Sequence, residues 1–537
     1  MKYMDGWRAS ALLISLLVAV PIVVVLVSML SVTGDIWEHL VENVLSELLV
    51  NTVWLVAGVA AGTYLIGVSL AWLTAVCDFP GRKFFSWSLL LPLSIPAYVL
   101  AFVFLGIFDF TGPVQTLLRG WFGAENVHFP DVSSTGGVIT VMTLVLYPYV
   151  YLLARNAFMT QGRRALEAAA SLGHSRVSGF FRVALPMARP WIAGGVLLVV
   201  MESLADFGAV SIFNYNTFTT AIYKAWFGFF SLPAAAQLSS ILVLIVFIII
   251  VMEQRMRSGM KFTRAGREAA GGGRIRLKGV WKWTAFAVSF SVLLVAFIIP
   301  VIQLLIWTVE VFEEEFSFRY FGFLTHSLLL GIAGAIIVCS LALVLSYSKR
   351  HHPDKLSGFL TRTATLGYAL PGTVLAVGVF IPVAYLDNVI IDVMRNMAGL
   401  EMTSLFKGSL FVLIIAYMIR FMAAGFNTIN SAMQRVTRSI DEAARLMGMR
   451  GIKMLSKVHL PILKGGVFTA AIIVFVDIMK EMPITLMMRP FGWDTLAVKI
   501  FELTSEGEWA RAALPSIVLI MAGILPVILL TRKGERS

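Results

Sequence analysis

Glu167-Ala168-Ala169, Gly173 and Leu185-Pro186 recur as Glu442-Ala443-Ala444, Gly448 and Leu460-Pro461, each position displaced by 275 residues. Each copy reads as a short helix of small residues, a glycine turn, and a second short helix ended by proline. Glycine lacks a Cβ and so admits the left-handed backbone that a sharp turn needs. Proline has no N–H with which to continue a helical ladder. The two copies occupy residues 155–190 and 430–464, are rich in Arg and Lys, and lie between strongly apolar runs. One such loop is common in soluble bundles. Two in register between apolar runs make the chain a tandem repeat of a membrane unit.

The composition agrees. Of 537 residues, 58% are hydrophobic and 14% charged, and the mean hydropathy of +0.84 is too apolar for a soluble fold of this length. Nine windows lack charge: Ala9–Gly34, Leu48–Cys77, Phe84–Phe108, Val132–Ala154, Ala225–Met252, Trp283–Val309, Tyr320–Ser348, Thr363–Leu386 and Ala512–Thr531. Three more spans contain charge, near Pro190–Phe213, Gly408–Ile429 and Gly465–Met488. A crossing needs about 20 apolar residues at a rise of about 1.5 Å each, so all twelve qualify. The expected fold is an all-α integral membrane protein of twelve transmembrane helices in two parallel six-helix repeats. The first is 1–252, the second 283–537, and a basic linker, 253–282, joins them. The first window exceeds a signal peptide's apolar core and is not followed by an A-x-A cleavage site, so it reads as a retained span.

Charge gives orientation. With the N-terminus inside, thirty-three of the 43 Lys and Arg fall on the cytoplasmic side, including nine in the linker and seven between Arg435 and Lys464. The opposite loops are acidic, with Asp35, Glu38, Glu42 and Glu47 in one and Glu310, Glu313, Glu314 and Glu315 in another. The positive-inside rule then places both repeated loops and both termini in the cytoplasm. The net charge of +12 belongs to this asymmetry and to lipid headgroups, not to nucleic acid. Cys77 and Cys339, with no CxxC spacing, read as structural thiols.

The displacement of 275 extends beyond the loops. Pro96 meets Pro371, Thr220 meets Thr495, Lys224 meets Lys499, and Glu202 and Asp206 meet Asp477 and Glu481. An even number of spans per half gives the halves the same orientation about an axis along the membrane normal, with a route between them. A spacing of four predicts that Glu202 and Asp206 share one helical face, as do Asp477 and Glu481. A charge at mid-membrane costs about 2.5–3.5 kcal/mol on insertion scales and should face a cavity or a partner. Two readings follow. The acids line a translocation pathway, where four carboxylates suit a hard cation. Or they pair with Arg420 and Lys480 and fix helix packing. Repetition of the acids in both halves favours the pathway.

Other motifs carry less. His351-His352, ahead of Pro353, is expected to face solvent without further ligands. Met479, Met482, Met487 and Met488 read as adaptable packing before soft-metal handling. No G-x-x-x-x-G-K-[ST] occurs, no Gly-Lys dipeptide exists, and no nucleophile–base set stands out, so no catalytic residue is predicted.

The paired loops resemble the EAA loops of ABC-transporter permeases. Tandem permeases of this kind serve ferric iron, thiamine and phosphonates. The segments beginning at Glu202, Thr217, Ala234, Asp477, Arg489 and Asp494 look like the ferric-iron branch, and the similarity covers nearly the full chain. Val183 and Val458 stand where the loop consensus prefers Ile, a conservative departure.

The resemblance implies an importer permease of type I-like fold in the bacterial inner membrane, fed by a periplasmic or lipid-anchored binding protein. Two copies of a separate ATPase, which bind ATP and Mg, would dock on Glu167, Ala168, Ala169, Gly173, Leu185 and Pro186 and on Glu442, Ala443, Ala444, Gly448, Leu460 and Pro461. The chain itself would hold no cofactor, and Fe3+ would touch the pathway acids only in transit. The alternatives are a permease of the same type for thiamine, 2-aminoethylphosphonate or another small solute, and, further off, a secondary transporter, which would not need matched loops.

Overall fold

The computed structural model describes residues 5–30, 34–123, 130–162, 171, 173, 175–258, 274–398 and 404–536. Among them, eleven helices are long and apolar enough to cross a membrane. In the first half these are α1 (Gly6–Ser28), α2 (Leu45–Val76), α3 (Ala97–Phe122), α4 (Thr135–Thr160), α5 (Phe180–Ala205) and α6 (Leu232–Met252). In the second they are α7 (Val280–Glu315), α8 (Phe318–His351), α9 (Gly372–Met397), α10 (Leu410–Met433) and α11 (Gly451–Lys480). The final helix, α12 (Ala513–Arg536), is the twelfth and carries a shorter apolar run. One long helix thus falls in each of the twelve expected spans, and the fold is an all-α membrane protein.

Two charge-free windows are not continuous. The helix before Pro96 stops, the chain makes a tight turn over Leu91–Ser94, and α3 starts at Ala97. The second half repeats this as a turn over Leu366–Ala369, then Pro371 and α9. Proline removes a donor and pushes the residue before it out of helical geometry, so each break is written locally. Hydropathy cannot see it, because the residues on both sides are apolar.

The halves interlock. Helix α1 packs on α8, α9 and the short helix Lys355–Ala364 of the second half as well as on α6. The Ser15 hydroxyl donates to the Leu360 carbonyl at 2.8 Å. A Cβ on Gly378 of α9 would lie 2.9 Å from the Pro21 carbonyl oxygen, so glycine permits the closest approach of α1. Reciprocally, α7 packs on α3 of the first half and on α12. Trp307 of α7 and Trp509 both stack on Phe102 of α3, at 6.3 and 6.4 Å between ring centroids.

The basic linker is tied down at its described end. Ile275–Arg276 pairs in parallel with Cys77–Asp78, and Leu277 N–H donates to the Asp78 carbonyl at 3.1 Å. This two-residue bridge is the whole of the β-structure among the described residues.

Candidate functional site

The two helices that carry the acids each end between the members of their pair. Helix α5 stops at Ala205, leaving Asp206 in extended conformation as its C-cap. Helix α11 stops at Lys480, leaving Glu481 in the same role. This corrects the expectation of a shared helical face: Glu202 and Asp477 are helical, whereas Asp206 and Glu481 lie beyond the last turn. Each of the latter starts the next short helix. Asp206 Oδ1 accepts the Val210 N–H at 3.1 Å, at the head of Gly208–Ile212. Glu481 Oε1 accepts the Ile484 N–H at 3.2 Å, at the head of Pro483–Met488. A carboxylate there satisfies donors the helix start leaves open.

The four carboxylates nevertheless converge. Glu202, Asp206, Asp477 and Glu481 line one cavity of about 230 Å³ together with Arg420 and Lys480. The first two acids come from one half and the rest from the other, so the cavity sits on the pseudo-twofold seam. The seam is tight: a Cβ on Gly208 of the first half would come within 2.9 Å of Met482 of the second.

The two cations do not hold the acids as ion pairs among the described residues. Arg420 donates to the Tyr368 carbonyl at 3.2 Å and also to the Leu370 carbonyl. Lys480 donates to the Leu93 carbonyl at 3.1 Å. These oxygens belong to the two breaks before Pro96 and Pro371, where interrupted helices leave acceptors without ladder partners. Glu202 has another neighbour: Tyr368 OH donates to its Oε1 at 2.7 Å, across the seam. Tyr368 and the two break carbonyls were missed by sequence reasoning. The prolines at a displacement of 275 were the available signal.

A second cavity, of about 590 Å³, adjoins at Phe207 and is lined by Lys224, Arg489 and Glu502 among others. Arg489 forks between Asp494 Oδ1 at 2.8 Å and Glu502 Oε1 at 2.7 Å, joining two segments singled out in the sequence.

The repeated loops are built differently at their bases. Glu167, Ala168 and Ala169 lie outside the described residues. Gly173 has φ +80° and Gly448 φ +76°, and a Cβ on either would meet nothing, so the need for glycine is conformational. In the second loop, Arg438–Leu446 is helical, with Glu442 and Ala443 exposed and Ala444 buried. Gly448 and Met449 N–H groups return to the Arg445 and Ala444 carbonyls, closing the turn. Leu446 and Ile452 stand out at 90% and 73% exposure.

The second helix does not end at proline, as the sequence suggested. Gly451 to Lys480 is continuous, and Leu185-Pro186 and Leu460-Pro461 lie inside α5 and α11. A wider π-turn precedes each proline, over Phe180–Ala184 and Leu455–His459. The wider turn accommodates the missing N–H and the ring, so each loop passes into its span without a joint.

Asp441, just before Glu442, anchors the second loop. Its carboxylate accepts from Arg350 Nε at 2.9 Å and faces His459 Nε2 at 2.8 Å. Arg350 also caps the end of α10 through the Met433 and Val436 carbonyls. At the corresponding positions the first half has Leu166, Ala75 and Ala184. Its base is instead aromatic, with Trp72 edge-on to Phe180 at 4.5 Å and to Phe158 at 5.2 Å.

Residues 64–258 and 339–533 each match the family described as binding-protein-dependent transport system inner membrane component. Both bounds of the second match lie 275 residues beyond those of the first, the displacement read from the loops. The chain is 27% identical over 500 residues to the Haemophilus influenzae Fe(3+)-transport system permease protein FbpB 2, covering 92% of this chain and 91% of that one. It is 23% identical over 517 residues to the probable ABC transporter permease protein y4fN of Sinorhizobium fredii, covering 90% and 86%. A shorter match, 31% over 175 residues, covers 32% of this chain and 58% of the Escherichia coli sulfate transport system permease protein CysW.

Proposed function

The chain belongs to the family of binding-protein-dependent transport system inner membrane components, and from that premise we propose that it is the two-halved permease of an importer for ferric iron. It carries no ATPase motif, so hydrolysis falls to a separate subunit, of which two copies would engage the two loops. The positive-inside charge pattern supports placing those loops and both termini in the cytoplasm. A binding protein on the far side would load the cavity that opens toward Arg489.

The observation that carries the iron reading is the convergence of four carboxylates from both halves on one cavity between them. Carboxylate oxygens suit a hard trivalent cation and oppose an oxyanion such as sulfate. A relative named for Fe(3+) transport, matched over 92% of this chain, supports the same assignment. Glu202 and Asp477 would meet the ion, while Asp206 and Glu481 would hold the half-helices beside it. Closure of the ATPase pair would pull both loops. Because each loop continues into α5 or α11 without a break, the pull would reach the acids at the far ends of those helices.

The test is uptake into proteoliposomes holding the permease, its ATPase and its binding protein. ATP-dependent entry of labelled ferric iron, with none of thiamine, 2-aminoethylphosphonate or sulfate, is expected. Entry of one of the others in place of iron would overturn the assignment.

A further inference from the structure

The His351-His352 pair is not without a third ligand. Asp5, 346 residues earlier, caps the start of α1 with Oδ1, which accepts the Arg8 N–H at 3.0 Å. That bond turns Oδ2 toward the histidines, 2.8 Å from His352 Nε2 and 3.7 Å from His351 Nδ1. The two ring nitrogens lie 3.1 Å apart. All three side chains remain partly open to solvent, at 39%, 36% and 22% for Asp5, His351 and His352. Arg8, the nearest cation on α1, is engaged by Asp354.

We propose that Asp5, His351 and His352 form a binding site for a divalent transition-metal ion of the Zn2+ or Fe2+ class, on the same face of the protein as the second repeated loop. A triangle with sides of 2.8, 3.7 and 3.1 Å has a circumradius of about 1.9 Å, just inside the 2.0–2.2 Å of zinc–imidazole and zinc–carboxylate bonds. An ion slightly above that plane reaches all three donors with little rearrangement, and water completes the shell from the open side. Two imidazoles and one carboxylate form a borderline donor set that prefers Zn2+ or Fe2+ to Mg2+ or Ca2+. The Arg8 amide bond on Asp5 supplies the outer support that fixes a ligand's direction. The geometry also links distant parts of the chain. Asp5 starts α1, the histidines end α8, and the adjacent Arg350 holds Asp441 of the second loop. A bound ion would therefore staple α1 to the base of that loop.

The site is independent of what the permease carries, and its test reads binding alone. The full chain, purified in detergent through a tag without histidine, is titrated with Co2+ as a spectroscopic probe and then with Zn2+ in competition. One equivalent of Co2+ should give visible d–d bands, displaced by Zn2+ and not by Mg2+. His351→Gln and His352→Gln should each weaken binding by about tenfold or more, while His39→Gln, exposed on the acidic helix Asp35–Asn43, should leave it unchanged. Both histidines are partly exposed, so neither variant strips the core, and monodispersity on gel filtration checks that each is folded. Stoichiometric binding that survives both substitutions would place the metal elsewhere. Absence of Co2+ bands in the unmodified chain would leave a proton-shared cluster. Either result overturns the site.

Discussion

The Lys480 ammonium donates to the carbonyl of Leu93 at 3.1 Å, reaching from the end of α11 into the other half of the protein. The corresponding carbonyl, of Tyr368, is held instead by Arg420 of α10. The two breaks are thus related by symmetry, but their clamps are not. The residues matching Arg420 and Lys480 in the first half are Val145 and Ala205, so both cations come from the second half.

Lys480→Met should loosen the seam. Hydrogen bonds to charged groups contribute about 1.5–3 kcal/mol, and the substitution takes this donor from the Leu93 carbonyl. Lower thermal stability in detergent is expected, with Lys480→Arg recovering part of it. Unchanged melting of Lys480→Met would show that Leu93 needs no such partner.

The acids should separate into two pairs. Glu202→Gln and Asp477→Asn are expected to cut iron uptake per molecule at near-normal membrane abundance. Asp206→Ala and Glu481→Ala remove helix-starting acceptors as well, and such changes cost about 0.5–2 kcal/mol. Abundance and uptake should therefore fall together in that pair. Full uptake per molecule in Glu202→Gln and Asp477→Asn would remove the pathway role.

Gly448→Val and Gly173→Val test the turns. A left-handed residue with a side chain costs about 1–2 kcal/mol, and more when β-branched. No neighbour obstructs the new Cβ at either site, so insertion should survive while ATP hydrolysis becomes uncoupled from uptake. Wild-type coupling in the double variant would sink the idea.

Leu446→Asp and Ile452→Asp address docking. Two large apolar side chains this exposed beside a turn suit a protein partner. Each substitution should reduce ATPase pull-down several-fold without altering the permease's own melting. Undiminished pull-down by the double variant would exclude this surface.

Asp441→Ala should strand His459, which is 1% exposed, and leave Arg350 without its carboxylate. A loss of about 1.5–3 kcal/mol is expected. Ala75→Gly, at the position matching Arg350, removes no ion pair and should cost only about 1 kcal/mol of helix propensity. Equal melting losses in the two variants would contradict the difference between the loop bases.

Much of the architecture was legible because its causes are local. Charge-free windows gave the spans, and a fixed displacement gave the halves. What stayed hidden depends on position in space. Glu202 and Asp206 are four apart in a helical-looking run, but the helix ends between them, and no residue type announces that stop. Arg420 seemed suited to an acid; the break carbonyls that claim it are backbone groups and leave no trace in side-chain pattern. Leu185-Pro186 and Leu460-Pro461 looked like helix ends because a π-turn that accommodates proline has no simple signature. Asp5 was invisible as a neighbour of His352 because the whole first half intervenes.

The interlock of α1 with the second half bears on how the protein is made. Ser15 meets Leu360 only after about 345 further residues have been synthesised and inserted. Until then α1 lies in lipid without part of its binding surface, and closing so long a loop is slow. The nascent first half must wait, with α1 parked beside α6 or drifting free in the bilayer. Severing the chain in the linker would thus divide it into two fragments that each display the other's missing helix groove. Co-expressed, such fragments should reassemble by exchanging α1 and α7, whereas either one alone is left as prey for membrane proteases.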